Sequence, residues 1–203
     1  MFAWMCGEQC GRTAVGRGVN DVRTSQTHPI YVDWFPHNEG EGQIGMTLCP
    51  GKYQPKSSTG SWDRQLDDDL DDLKAMGVDR IISLITEEDM VVLRVESLGE
   101  GIQARGMKWN HLPLPDTTAP TQAWMERAAP VFEQLKSSIP NGETVVVHCM
   151  GGLSRAGTFL SIHLWNQGFK MNEAISHVRD VRSSNCVNSD QLLFLLTISR
   201  KKQ

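Results

Sequence analysis

The run "ETVVVHCMGGLSRAGTFLSIHLWNQG", residues 143–168, constrains the fold of this chain more than any other stretch. "ETVVVH" is a continuous apolar strand of the kind buried on both faces of a sheet, which is the habit of a central parallel strand. It passes without a spacer into a loop with paired glycines, and from there into a helix beginning near Arg155. A strand, tight loop and helix in that order are one unit of an α/β arrangement, which strands alternating with helices along the chain indicate.

The surrounding sequence extends the pattern. "IYVDWF" and "QIGMTLCPG" have the content of two strands, the second ended by Pro50-Gly51, and "YQPKSSTGS" reads as loop. In "SWDRQLDDDLDDLKAMG", Leu66, Leu70, Leu73 and Met76 keep helical spacing, with Gly77 as the stop. The aspartate run is read as a solvated helix face favoured by the dipole rather than as a metal site. "VDRIISLIT" predicts a short buried strand and "EEDMVVLRVESLGE" one helix. "MKWNHLPLP" predicts a strand stopped by Pro113 and Pro115, and "TQAWMERAAPVFEQLKSSI" a helix with Pro130 inside it as a candidate kink. Three helical segments finish the chain. The expected architecture is one α/β domain over 29–203, with a central, mostly parallel sheet flanked by helices, preceded by an arm over 1–28.

Composition excludes little but helps. The 203 residues are 39% hydrophobic and 22% charged, with a formal net charge of −4, so neither nucleic acid nor a membrane surface is an expected partner. No apolar stretch approaches the roughly 20 residues of a membrane span, and the first residues lack a secretory pattern. Five scattered cysteines (6, 10, 49, 149 and 186) are a poor disulfide framework. They indicate a reducing compartment and a cytoplasmic location. Cys6 and Cys10 lack a second ligand pair at zinc spacing, and no metal or other cofactor is expected.

"HCMGGLSRAGT" has the parts of an anion site. Backbone N–H groups of Met150, Gly151, Gly152, Leu153, Ser154 and Arg155 can turn inward, and the helix N-terminus adds positive partial charge. The two glycines permit the curvature, and Arg155 offers a planar fork to two phosphate oxygens. Cys149 lies at the floor, where a helix N-terminus and a nearby cation favour the nucleophilic thiolate.

These residues resemble the signature of the cysteine-dependent protein phosphatases: His-Cys, five residues, Arg, then usually Ser or Thr. A second match is Asp116 in "HLPLPDTTAP", thirty-three residues before Cys149. With "GMTLCPGKY" and "VRDVRSSN", residues 43–198 are most similar to the cyclin-dependent-kinase-associated branch of the dual-specificity phosphatases. The resemblance implies a protein-tyrosine/dual-specificity phosphatase fold and hydrolysis of phosphotyrosine, with phosphoserine and phosphothreonine as further candidates. Cys149 would form a cysteinyl-phosphate, Arg155 would clamp the phosphoryl group, and Asp116 would serve as general acid and then base. Activity would peak on the acidic side of neutral. His148 would support the loop and tune Cys149. Gln191 resembles a glutamine of the family but reads locally as a solvated helix residue. Arg179 and Arg182 either guide substrate or form salt bridges.

The departure is Ala156, where the family carries a hydroxyl that bonds the cysteine sulfur. Its loss predicts slow dephosphorylation of Cys149, unless Thr158 compensates. Two other readings stand beside the leading one: a phosphatase of a non-protein ester such as a phosphoinositide, and a weakly active phospho-binding module. Relatives that act on inositol lipids often carry basic residues in this loop, and "MGGLS" has none, which favours a protein or a small neutral-bodied substrate; by resemblance the protein would be a kinase. A monomer is expected, and Cys49 or Cys186 is a candidate to form a disulfide with Cys149.

Overall fold

In the computed structural model, residues 22–35, 42–57 and 60–200 are described. The main sheet has five strands in the order β1-β2-β7-β5-β6. β1 (Asp33–Phe35) runs antiparallel to β2 (Ile44–Thr47). The other three, β5 (Arg80–Ser83), β6 (Lys108–His111) and β7 (Val145–His148), run parallel with β2. The mostly parallel α/β sheet expected from the sequence is thus the one present.

Period-two alternation along β7 and β5 divides the core. Val145, Val147 and Ile82 point into one apolar cluster, Val146 and Ile81 into the other. The first cluster is completed by α4 (Gln122–Ser138), α5 (Ser154–Asn166), α6 (Met171–Val181) and α7 (Ser189–Arg200). The second is completed by α1 (Leu66–Ala75), α2 (Glu87–Leu93) and α3 (Leu98–Ala104). Helices on both faces explain why β7 carries no polar residue before His148.

Several expectations are corrected. "EEDMVVLRVESLGE" is two helices, broken where Arg94 takes a left-handed conformation (φ 60°). Thr86 and Asp89 form a capping box that starts α2 sharply. The helix expected around Pro130 is present, with Pro130 inside α4. "YQPKSSTGS", read as loop, begins with β3 (Tyr53–Gln54), which pairs with β4 (Trp62–Asp63) in a separate two-stranded sheet. The aspartates of α1 are not uniformly solvated. Asp69 is fully buried, accepts from Arg64 at 2.6 and 2.8 Å, and also accepts from the Gly51 amide. Within the segment expected as an arm, residues 23 and 25 contact the rest of the chain. Arg23 bridges to Trp62, and the buried Ser25 bonds the backbone of Gln65. The rest of the expected arm, with Cys6 and Cys10, lies outside the described residues.

The functional consequence of the topology is simple. The segments leaving the carboxyl ends of β2, β5, β6 and β7 converge, bringing together Lys52, Asp89, Asp116 and Cys149.

Candidate active site

Cys149, Met150, Gly151, Leu153, Ser154 and Asp116 line one cleft of about 430 Å³, closed on its other side by the β3 segment. Its floor is the loop between β7 and α5, and the backbone of that loop is held in one orientation. The Cys149 carbonyl accepts from His148 Nδ1 at 3.3 Å, and the Met150 carbonyl from the Cys49 amide at 3.3 Å. The carbonyls of Gly151 and Gly152 accept from Arg182 Nη2 (3.3 Å) and Nε (3.0 Å). Those of Leu153 and Ser154 accept from the Gly157 amide (2.7 Å) and the Thr158 hydroxyl (2.8 Å). Six consecutive carbonyls therefore face protein donors. Among the described residues, no amide from Met150 to Ser154 donates to a protein acceptor. Backbone amides in this state, at the start of a thirteen-residue helix, form an anion cradle.

Only one of the paired glycines is sterically required. Gly152 has φ 63°, and a Cβ there would lie 2.2 Å from the Thr47 carbonyl oxygen. At Gly151 the nearest atom to a Cβ is Leu153 Cδ1 at 4.0 Å. Gly152→Ala therefore costs about 2 kcal/mol or more, whereas Gly151→Ala stays within about 0.5 kcal/mol of the parent, read by urea denaturation. Equal costs at the two positions would contradict this account of the loop.

Arg155 is fully buried. Its Nη1 donates to Asp89 Oδ2 at 2.6 Å and to the Leu114 carbonyl at 3.0 Å. Nε and Nη2, which share one edge of the guanidinium, have no hydrogen-bond acceptor among the described residues. Asp116 Oδ1 approaches Nε to 3.2 Å as an ion pair without hydrogen-bond alignment. Burial works against the charge of Arg155, and Cys149, Asp89 and Asp116 together outweigh it, so its pKa is raised. The result is a permanently charged fork, anchored on one side and available on the other.

The loop carrying Asp116 is held from the last helix. Asn188 Nδ2 donates to the Thr117 carbonyl at 2.8 Å, and Gln191 Nε2 to the Thr118 carbonyl at 3.1 Å. Gln191 is fully buried, which corrects its reading as a solvated residue. Thr117 is left-handed (φ 62°), so this turn needs such anchoring.

His148, the last residue of β7, is buried beside Ser83 of β5. Trp109 Nε1 donates to Ser83 Oγ (2.8 Å), leaving the serine hydrogen for His148 Nε2 (2.7 Å). That order places the imidazole proton on Nδ1, facing the Cys149 carbonyl. Burial lowers the His148 pKa to about 4, so at neutral pH the ring is uncharged. It orients the loop through a carbonyl and brings no positive charge to the thiol, which narrows the tuning role expected from sequence.

A pH dependence follows. His163, also buried, is likewise lowered to about 4. Unfolded histidines take up protons near pH 6.5 and the folded ones do not until about pH 4, so stability falls as pH drops through that window. Each contributes up to about 3 kcal/mol. Glu143 continues the loss below about pH 4.5. Burial alone would raise its carboxyl, but hydrogen bonds from Arg80 and Lys108 hold it at about 2. Urea midpoints should drop steeply between pH 6.5 and 4, and a flat profile would refute the assignment.

The remaining predicted residues are placed as follows. Ala156 is fully buried in the first turn of α5. The hydroxyl of Thr158 is committed to the Ser154 carbonyl, so it does not stand in for the missing one. Cys49, Cys149 and Cys186 are free and buried. Burial pushes the Cys49 thiol well up, and that of Cys186 to about 11. Among the described residues no group of histidine, cysteine and carboxylate side chains has the makings of a metal site.

Sequence reasoning missed Asp89, Ser83, Asn188 and the pairing of Arg182 with Asp33 on β1. Arg182 alone carried a signal, in "VRDVR".

A buried nucleophile type, an anion cradle and a buried arginine fork at the carboxyl edge of a parallel sheet are the features of the cysteine-dependent phosphatases. Residues 56–200 match the family described as Swiss Army Knife protein, DSP-PTPase phosphatase domain (PTP-SAK), and the chain belongs to that family. It is 26% identical over 167 residues to cyclin-dependent kinase inhibitor 3 of Mus musculus, covering 79% of this chain and 74% of the mouse protein. It is 33% identical over 101 residues to a probable protein tyrosine phosphatase type IVA of Dictyostelium discoideum, covering 48% of this chain and 60% of that one. Among solved structures, kinase-associated phosphatase with its catalytic-site cysteine changed to serine aligns with a TM-score of 0.73 at 22% identity. That alignment covers 85% of this chain and 96% of the other.

Proposed function

We propose that this protein hydrolyses phosphoprotein monoesters, phosphotyrosine first and phosphothreonine or phosphoserine second, through a phosphoryl group carried on Cys149. The observation that supports this most is the orientation of the loop. Six carbonyls are tied to protein donors, which leaves the amides from Met150 to Ser154 for the cleft that holds Cys149, and one edge of the buried Arg155 guanidinium has no acceptor among the described residues.

The steps follow from the placement. The phosphate enters with its non-bridging oxygens on the amides and on Arg155 Nε and Nη2. The Cys149 sulfur forms a bond to phosphorus as the bond to the leaving oxygen breaks, and the charge on the equatorial oxygens meets donors already in position. Asp116, within reach of the same guanidinium, gives its proton to the leaving oxygen. It then takes a proton from the water that attacks phosphorus, and the Cys149 thiolate departs. Because neither Ala156 nor Thr158 offers the sulfur a hydroxyl, this second step is the slow one. Similarity to cyclin-dependent kinase inhibitor 3 favours a phosphorylated kinase as substrate.

The test is hydrolysis of an aryl phosphate in the presence of a chelator. Wild-type protein should turn over with an initial burst, Ala156→Ser should raise the steady rate, and Cys149→Ser should be inactive yet still bind phosphate. Absence of wild-type activity would favour a phospho-binding module and overturn the reading.

A further inference from the structure

Lys52 has no part in the steps above, yet it lies in the wall of the same cleft, with Gln54, Lys56 and Ser57 across from Cys149. It is only 4% exposed. Among the described residues no carboxylate comes within ion-pair reach of its ammonium, and its one recorded partner is the Trp62 ring, 5.3 Å from the centroid. Arg23 and Arg64 crowd the same ring at 4.9 and 6.0 Å, and Arg64 is already neutralised by Asp69. A buried cation without an anion is costly, and burial lowers the Lys52 pKa accordingly. Lys52 and Cys149, the candidate nucleophile, line the same cleft. The scissile phosphate is already served by the loop amides and by Arg155. Lys56 continues the positive strip along the same wall, in a chain whose net charge is −4.

We infer that Lys52 and Lys56 form a second anion subsite, so that the preferred substrate is a phosphopeptide with another phosphate or a carboxylate close to the scissile phosphoresidue. This rests on the phosphatase reading for the choice of substrate, and on the wall of the cleft for the subsite itself.

The experiment uses one peptide sequence in three forms: a single phosphoresidue with neutral flanks, the same with an acidic neighbour, and the same with a second phosphoresidue. Wild-type kcat/KM should be at least about tenfold higher on the two acidic forms, the worth of one charge-assisted contact. Lys52→Met should bring that ratio close to one, Lys56→Gln should reduce it, and Lys52→Arg should keep it. Affinities of the three peptides for Cys149→Ser should show the same ratio. That arm reads the subsite even if no peptide is hydrolysed, which separates failure of this inference from failure of the phosphatase reading. Lys52→Met should also unfold at a temperature no lower than the parent, because a buried unpaired charge is removed. Equal affinities and rates for the three peptides would overturn the inference. So would an equal loss by Lys52→Met on an aryl phosphate and on all peptides, or a fall in its unfolding temperature, since each assigns Lys52 another task. Faster hydrolysis of a soluble inositol bisphosphate than of the doubly phosphorylated peptide would overturn the choice of a peptide.

Discussion

Replacing Arg155 by lysine should lower kcat/KM for an aryl phosphate by about two to three orders of magnitude, although the positive charge is kept. The guanidinium is divided between two duties. Nη1 holds Asp89 and the Leu114 carbonyl, while the opposite edge has no acceptor among the described residues and is the one proposed to meet the phosphate. A lysine has one nitrogen at the end of a flexible stem. If it pairs with Asp89 it abandons the phosphate, and if it turns to the phosphate it leaves Asp89 without its cation. Arg155→Ala should fail differently, losing activity and also about 3 kcal/mol of stability, because the largely buried Asp89 then has no partner. Steady-state rates and urea midpoints on both variants separate the duties. A lysine variant with near-parental kcat/KM would show that the fork geometry is not what the site uses.

Asp116→Asn should reduce kcat/KM by about two to four orders of magnitude on a phosphopeptide, and much less on an aryl phosphate whose leaving oxygen needs little help, while kcat, set by dephosphorylation of Cys149, should fall on both. The anchors of the Asp116 loop give a weaker version of the same pattern. Gln191→Leu releases the Thr118 carbonyl, and Asn188→Ala the Thr117 carbonyl. Each should lose rate on the peptide preferentially and leave the cradle's affinity for inorganic phosphate near the parental value. An equal loss of kcat/KM on both substrate types would contradict the role of Asp116 as acid toward the leaving oxygen.

What could be read from the sequence was set by local signals. The central strand, the loop and the helix after it are contiguous, and their residue types carry hydrophobic periodicity and turn chemistry without help from the rest of the chain. Cys149, Arg155 and the loop amides therefore emerged together. Asp116 came from a matched spacing, and its approach to Arg155 depends on how β6 lies beside β5. The residues that escaped notice are the long-range ones. Asp89 looked like an ordinary acidic residue in the first turn of a helix, and nothing local says that Arg155, sixty-six residues on, would reach it. Arg182 and Asp33 are 149 residues apart, and Gln191 is seventy-three from Thr118. Asp69 is a similar case. Its neighbours in the aspartate run are mostly solvated, and only the arrival of Arg64 and the Gly51 amide distinguishes it. The two glycines failed for the opposite reason. They are adjacent letters with the same local propensity, and only the proximity of the Thr47 carbonyl makes one of them indispensable.

The most direct test of the account is the location of the phosphoryl group during turnover. Asp116→Ala, mixed with an aryl phosphate and quenched in acid within the first turnovers, should accumulate the intermediate, because transfer to sulfur remains feasible while water is no longer activated. Peptide mass spectrometry should then find one phosphoryl group on the fragment containing Cys149, and none when Cys149→Ser is combined with the same background. Recovery of the phosphoryl group on another residue, or turnover with Cys149 never modified, would contradict it.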